Sequence, residues 1–175
     1  MLFGNRIVLE EISEKDVNGV FECYSNQETM KYFGVNPIEN KDEAIEIIKR
    51  NIEMKKEKTG VRYIAKLKDT SEFVGLITMK RYNSIHFRAE IDYIVLPKNQ
   101  RKGFASEMLN LFLNQVSESW NIKRLSAYVD LDNQPSYKLL EKLEFEREGI
   151  LRSWVCDGDS FSDVYSYSFI FSDSK

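Results

Sequence analysis

The 175-residue chain has little of several things that would define a function by themselves. It holds two cysteines, Cys23 and Cys156, and a single histidine, His86. The cysteines lie far apart and match no metal or redox spacing, so we expect a reduced protein with no metal site, in which both thiols are buried or incidental. His86 stands in a polar stretch, and we assign it no role.

Long apolar runs and an excess of positive charge are also missing. No apolar stretch approaches the roughly 20 residues that cross a bilayer, and residues 1–6 lack the layout of a signal peptide. Lys and Arg number 25 against 28 Asp and Glu, a net charge of -3, which argues against a dedicated nucleic-acid-binding protein. We therefore expect a cytoplasmic protein with neither a membrane nor a nucleic acid as its partner.

The composition that is present is typical of a globular domain. Hydrophobic residues make up 42% of the chain and aromatic residues 13%, enough for a packed core. The length fits one domain, and no repeat, low-complexity tract or linker interrupts the sequence. We predict a single domain over residues 1–175.

Hydrophobic periodicity and capping residues predict the element order β-α-α-β-β-β-α-β-α-β-β, an α+β domain with a mixed sheet. Ser13 with Asp16 indicates a capping-box-like helix start. Asn40 or Asp42 begins a second helix that runs to about residue 58, and Asn133 begins a short one. The predicted strands cover residues 6–12, 61–67, 73–81, 89–95, 123–129, 145–151 and 161–171, and the long central helix covers residues 104–116.

Residues 96–107 join a predicted strand to this central helix through a basic loop. Lys98, Arg101 and Lys102 supply positive charge, and Gly103 allows close approach of a ligand to the backbone. A helix start also presents unpaired N–H groups and a positive dipole end. The pattern predicts an anion site for phosphates, and the alternative is an ordinary turn with solvated charges. Neither a P-loop nor a Gly-x-Gly-x-x-Gly dinucleotide fingerprint occurs.

The residues Gln100-Arg101-Lys102-Gly103-Phe104-Ala105 resemble the acetyl-CoA loop of the GNAT N-acetyltransferases, Gln/Arg-x-x-Gly-x-Gly/Ala. The chain resembles the RimJ/RimL branch of that superfamily in further stretches, which occur in the branch's order. The resemblance implies a GNAT-like, mostly antiparallel mixed sheet flanked by helices. The further stretches are residues 6–9 with Asp16, 30–34 with Pro37, 90–93, 133–145 with 148–149, and 163–168.

This resemblance implies direct transfer of an acetyl group from acetyl-CoA to a primary amine. It places the donor along the end of the strand, the basic loop and the helix start, with backbone N–H groups after Val95 polarising the thioester carbonyl. Asn133 would contact the pantetheine arm, although it can equally be only a helix cap. The implied cofactor-binding residues are Ile94, Val95, Leu96, Lys98, Gln100, Arg101, Lys102, Gly103, Phe104, Ala105, Ser106 and Asn133.

Two residues are candidates for proton transfer. Glu90 is the candidate base that deprotonates the amine, directly or through a water. The alternative for Glu90 is a strand carboxylate paired with Arg88 or Arg81. Ser136 would donate a hydrogen bond to the leaving thiolate, and its alternative is a serine in the first turn of a helix.

The chain departs from the family pattern where Asp92 and Glu144 replace glycines and where Leu140 replaces a tyrosine that often protonates the thiolate. Asp92 lies two residues from Glu90 and therefore on the same strand face. We expect the acceptor to contact Asp92 and the aromatic residues Tyr32 and Phe33.

The acceptor is left open among a protein N-terminus, a polyamine, an aminoglycoside and another small amine. An α-amino group has a pKa of about 7.7–8.0 and lysine about 10.4, so N-termini offer more neutral amine at pH 7. This favours an N-terminal amine. A homodimer is left open. The alternative function is a CoA-binding, GNAT-like protein without turnover that acts as a binding or regulatory module.

Overall fold

The computed structural model describes residues 1–172. Its strands form one sheet in the order β1-β2-β3-β4-β5-β6-β8-β7. The strands are β1 Leu2–Phe3, β2 Ile7–Glu11, β3 Val61–Leu67, β4 Phe73–Asn83, β5 Arg88–Val95, β6 Arg124–Asp130, β7 Glu146–Asp157 and β8 Ser160–Ile170. The helices are α1 Val17–Tyr24, α2 Gln27–Met30, α3 Lys41–Lys56, α4 Phe104–Ser119 and α5 Gln134–Lys142, with short 3-10 turns at Glu14–Asp16 and Pro97–Asn99.

Helices cover both faces of the sheet, because alternate strand residues are apolar on both sides. On one face α4 packs Met108 and Phe112 onto the sheet, and Phe112 meets Tyr63 edge-on at 5.9 Å between ring centroids. On the other face α1 and α3 bury Val20 and Ile48. The predicted α+β class with a mostly antiparallel sheet is confirmed.

Local capping chemistry fixes where the helices begin, as the sequence predicts. The Asp16 carboxylate accepts hydrogen bonds from the N–H and the hydroxyl of Ser13, both at 2.9 Å. The Asn40 side chain accepts from the Glu43 N–H at 3.1 Å, so the second helix begins after Asn40 and not at Asp42. Side-chain oxygens here satisfy N–H groups that have no partner inside the helix.

Two elements were not predicted. Strand β1 consists of only Leu2 and Phe3, which pair with Leu9 and Val8. Helix α2 is a single turn between the first and second predicted helices, capped by Asn26, whose side chain accepts from the Thr29 N–H at 2.9 Å. Residues 173–175 of the predicted domain lie outside the described residues. No helix in the described part of the chain is long and apolar enough to span a membrane.

Candidate active site

A cleft opens in the sheet where β5 and β6 separate. These parallel strands pair only over Arg88–Arg124, Ala89–Leu125 and Glu90–Ser126. Strand β5 continues to Val95 and stays paired with β4 on its other edge, and β6 turns to pair with β8 along its whole length. Within the described residues, the β5 edge from 91 to 95 therefore faces no neighbouring strand. Backbone groups that point out of this edge are available to a bound molecule, except the Val95 carbonyl, which accepts from the Gln100 side chain.

The ligand contacts expected from Ile94, Val95 and Leu96 can involve only the backbone, because all three side chains are buried in the core. One expectation needs correction. The Leu96 N–H donates to the Val74 carbonyl at 3.0 Å, and Pro97 has no N–H. Contrary to the expectation from the sequence, positions 96 and 97 therefore offer no free N–H group to a carbonyl oxygen. Gln100 donates its side-chain amide to the Val95 carbonyl at 3.0 Å.

The basic loop presents an exposed helix N-terminus. Gly103 occupies the N-cap position of α4 with φ 81° and ψ 3°, a left-handed conformation that favours glycine. No side chain among residues 1–172 caps this helix, so with respect to these residues the N–H groups of its first turn are free for an anion. Arg101 and Lys102 are exposed beside Gly103 and make no ion pair with a described residue. Ala105 and Ser106 are half-buried in the first turn.

Contacts between the β1–β2 turn and α4 hold the basic loop in place. The Glu107 carboxylate accepts from the Arg6 N–H at 2.7 Å, the Ile7 N–H at 3.3 Å and the Arg6 Nε at 3.0 Å. The Arg6 guanidinium donates to the Lys102 carbonyl at 2.7 Å and lies 4.6 Å from the centroid of the Phe104 ring. Burial raises the pKa of Glu107, but the hydrogen bonds from Arg6 and Ile7 outweigh it and hold the pKa below its usual value.

Lys98, expected at the cofactor, is engaged elsewhere. Its ammonium lies 3.0 Å from a Glu22 oxygen on α1 and 3.2 Å from a Glu72 oxygen in the β3–β4 turn. The hydrogen bonds that its ammonium donates to Glu22 and Glu72 raise the pKa of Lys98. The structure thus brings Arg101, Lys102 and Gly103 together and directs Lys98 to α1.

Glu90 and Asp92 lie on the face of β5 that is opposite α4, and each is paired with a cation from β4. Both Glu90 oxygens accept from Arg81, at 2.9 and 3.2 Å. Asp92 accepts from the Lys80 ammonium at 2.5 Å. The sequence-based alternative for Glu90, pairing with Arg81, is therefore present. Arg81 is 70% exposed and Glu90 only 18%, so water screens the arginine much more than the carboxylate.

A buried polar row crosses three strands beside Asp92. Arg62, Thr78 and Asp92 are neighbours across β3, β4 and β5, and the Arg62 Nε donates to the Thr78 hydroxyl at 2.7 Å. One oxygen of Asp92 and one terminal nitrogen of Arg62 are buried with no hydrogen-bond partner among the described residues. The Arg62 guanidinium lies 5.6 Å from the ring centroid of Tyr24, and burial raises the pKa of Tyr24 to about 12.

The start of α5 lies beside the cleft. The Asn133 side chain accepts from the Ser136 N–H at 3.3 Å, so Asn133 acts as a helix cap. The Ser136 hydroxyl lies 2.8 Å from the Tyr93 hydroxyl, which comes from the open stretch of β5. Leu140 is completely buried and offers no hydroxyl to the cleft.

The loop after α2 lies against the last hairpin. Phe33 is half-buried against the core between α1 and α3. The Lys31 ammonium lies 5.0 Å from the centroid of the Tyr32 ring. A Cβ on Gly34 would come within 2.1 Å of a Val155 methyl group on β7. The two predicted acceptor contacts thus lie in a loop that packs closely on β7.

No group of three or more metal-ligating side chains occurs within residues 1–172. Cys23 is buried, and burial raises the pKa of its thiol, whereas Cys156 is exposed.

Solved structures of N-acetyltransferases have the same architecture. The spermidine N-acetyltransferase of Vibrio cholerae, in complex with CoA and spermine, superposes with a TM-score of 0.84 at 24% identity, covering 94% of this chain and 95% of that one. The Salmonella typhimurium acetyltransferase that modifies the N-terminal serine of ribosomal protein L7/L12 superposes with a TM-score of 0.86 at 18% identity, covering 96% of each chain. At these identities the likeness establishes the fold.

Sequence similarity adds the family. A profile of the acetyltransferase (GNAT) domain matches residues 6–146. An uncharacterized N-acetyltransferase of Bacillus subtilis is 32% identical over 170 residues, which is 97% of this chain and 96% of that protein. The chain belongs to the acetyltransferase (GNAT) domain family, and the predicted acetyltransferase identity is confirmed at that level.

Proposed function

We propose that the chain transfers the acetyl group of acetyl-CoA directly to a primary amine. The observation that carries the proposal is the cleft between β5 and β6, which leads to the uncapped start of α4. The open edge at 91–95 suits the amides of a pantetheine arm, and a helix N-terminus suits a pyrophosphate. The Vibrio cholerae neighbour with this fold is a complex with CoA.

The residues around Gly103 fit the phosphates of the donor. Arg101 and Lys102 supply the charge, and the N–H groups of residues 103–106 supply directed donors. Among the described residues, a Cβ on Gly103 would meet only the Arg6 guanidinium, at 3.3 Å, so the space above the helix start is open. Asn133 would approach the pantetheine with the part of its amide that does not cap α5.

In the proposed reaction the amine nitrogen attacks the thioester carbonyl, the new C–N bond forms and the C–S bond breaks. The amine has to lose a proton, and Glu90 is the proposed acceptor through a water. Its partner Arg81 is 70% exposed, so the arginine side chain can turn into water and release the carboxylate. Asp92 is held by Lys80, and we assign it to contact with the acceptor together with Tyr32 and Phe33.

We infer that an α-amino group suits this site better than a polyamine. Each of the two carboxylates already has a cation, since Lys80 pairs with Asp92 and Arg81 pairs with Glu90, and Arg62 bonds Thr78, the strand neighbour of Asp92. A polycation gains little attraction from carboxylates that are already neutralised. The Salmonella typhimurium neighbour modifies an N-terminal serine. An α-amino group, with a pKa of about 7.7–8.0, is neutral in a larger fraction at pH 7 than a lysine-like amine, with a pKa of about 10.4.

The second candidate is a protein that binds CoA without turnover. It is favoured by the pairing of both carboxylates and by the buried Leu140. Two measurements separate the candidates. The first compares the melting temperature with and without acetyl-CoA, and the second measures thiol release from acetyl-CoA in the presence of peptides, spermidine or amino sugars. Stabilisation with thiol release supports the transferase, stabilisation without release from any amine supports the binding protein, and no stabilisation contradicts both.

A further inference from the structure

Two hydroxyl groups meet where the cleft borders α5. The Tyr93 hydroxyl lies 2.8 Å from the Ser136 Oγ and 3.4 Å from the Ser136 carbonyl oxygen. Tyr93 belongs to the stretch of β5 that has left β6, and Ser136 belongs to the first turn of the helix that follows β6. The contact therefore joins the two sides of the opening. At 2.8 Å it has the ordinary length of an O–H···O hydrogen bond.

The hydrogen count of this pair has a chemical consequence. The two hydroxyls carry two hydrogens, and their mutual hydrogen bond uses one. Burial raises the pKa of Tyr93 to about 12, and the hydrogen bond with Ser136 opposes this only in part. The phenol thus keeps its proton at neutral pH. One O–H remains after this bond. It is the Ser136 O–H when Tyr93 is the donor, and the Tyr93 O–H, 3.4 Å from the Ser136 carbonyl oxygen, when Ser136 is the donor. Asn133 anchors Ser136 through its N–H, so in the first arrangement the free O–H has a fixed place in the helix.

We propose that Tyr93 is a positioning residue that donates to the Ser136 Oγ and thereby directs the Ser136 O–H toward the sulfur of the departing thiolate. This role rests on the acetyl transfer proposed above. As the C–S bond breaks, the sulfur takes the electron pair and the Ser136 O–H donates a hydrogen bond to it. The proton that finally neutralises the thiolate is the one lost by the amine, returned through solvent. A phenol from β5 thus supports the step that Leu140 cannot support.

The test compares Tyr93→Phe, Ser136→Ala and the double variant, with kcat and KM measured with acetyl-CoA and one accepted amine. Each single change should lower kcat about ten-fold and leave the KM for acetyl-CoA within two-fold. The double variant should be no slower than Ser136→Ala, because the effects of substituting two groups that act as a unit do not add. Ser136→Thr keeps the hydroxyl and should restore most of kcat. Tyr137→Phe is the matched control. Tyr137 lies on α5, stacks edge-on against Tyr165 at 5.6 Å and donates to no described residue, so its kcat should not change.

The outcomes separate this role from a structural one. If Tyr93 only holds α5 in place, Tyr93→Phe will lower the melting temperature and weaken acetyl-CoA binding while kcat at saturation stays unchanged, which overturns the proposal. Multiplicative losses in the double variant also overturn it. A wild-type protein that releases no thiol with any amine refutes the proposed function, and this role with it. A full-rate Tyr93→Phe in an active protein refutes the role of Tyr93 alone.

Discussion

Substitution of Gly103 tests whether the start of α4 is a phosphate site. Its φ of 81° costs a non-glycine residue about 1–2 kcal/mol. An added Cβ would lie 3.3 Å from the Arg6 guanidinium, so this side chain, which donates to the Lys102 carbonyl at 2.7 Å, would have to move by a few tenths of an ångström. Gly103→Val should therefore destabilise the free protein by about 2 kcal/mol. At about 2–4 °C per kcal/mol for this chain length, the melting temperature should fall by about 4–8 °C.

The decisive quantity is the additional stability conferred by acetyl-CoA. A ligand that binds only the folded state adds about 2.7 kcal/mol at a hundredfold excess over its Kd. The wild type should show this shift in a melting curve, and Gly103→Val should lose it because the branched side chain occupies the space above the first-turn N–H groups. Gly158→Val is the matched control. Gly158 lies in the β7–β8 turn with a similar φ of 62°, and no atom that the structure describes lies within 4 Å of an added Cβ. This variant should therefore be strained but keep the full shift. A full shift in Gly103→Val refutes the phosphate site.

Further predictions concern single side chains. Glu90→Gln should lower kcat with little change in acetyl-CoA binding, and the loss should shrink as pH rises because the amine is then already neutral. If the pH–rate profiles instead show an unchanged kcat for Glu90→Gln and a lower kcat for Asp92→Gly, Asp92 is the base. Lys102→Ala should weaken acetyl-CoA binding in a calorimetric titration and Lys98→Ala should not, since Lys98 bonds Glu22 and Glu72; equal losses would contradict this assignment. The pKa of Glu107 is depressed in the folded state. Its ionised carboxylate therefore adds to the free energy of unfolding above the unfolded pKa of about 4.3, and this stabilisation is lost as pH falls through the lower folded pKa. Glu107→Gln should lower the free energy of unfolding by about 1.5–3 kcal/mol at pH 7 and by less at pH 3. Equal losses in urea unfolding curves at the two pH values would contradict this linkage.

Much of the fold could be predicted because its signals are local. Ser13 with Asp16, Asn40 and Asn133 mark helix starts through bonds to residues three positions away, and such spacings can be read directly from a sequence. The two-residue strand β1 is too short to show alternation and forms because Leu2 pairs with Leu9. Helix α2 is one turn held by its Asn26 cap, shorter than any periodic pattern can reveal.

The candidate site was predictable only in part, for the same reason. The position of Gly103 before an apolar helix is a local pattern, and the structure places this glycine at the N-cap. The partners that decide the roles of other residues are distant in sequence. Arg6 and Glu107 are 101 residues apart, and Tyr93 and Ser136 are 43 apart. Such contacts depend on strand register and on how helices cross the sheet, which residue type alone does not specify.

A single assay tests acetyl transfer most directly. The protein is incubated with acetyl-CoA and a peptide that has a free N-terminus and no lysine, and free thiol and peptide mass are followed together. The same peptide with a blocked N-terminus and spermidine serve as comparison acceptors. We predict one thiol released for each acetyl group added to an amine, with the free peptide faster than spermidine and the blocked peptide inert. Thiol release no faster than the protein-free blank with every amine, from a protein that acetyl-CoA stabilises, would contradict the proposed transferase.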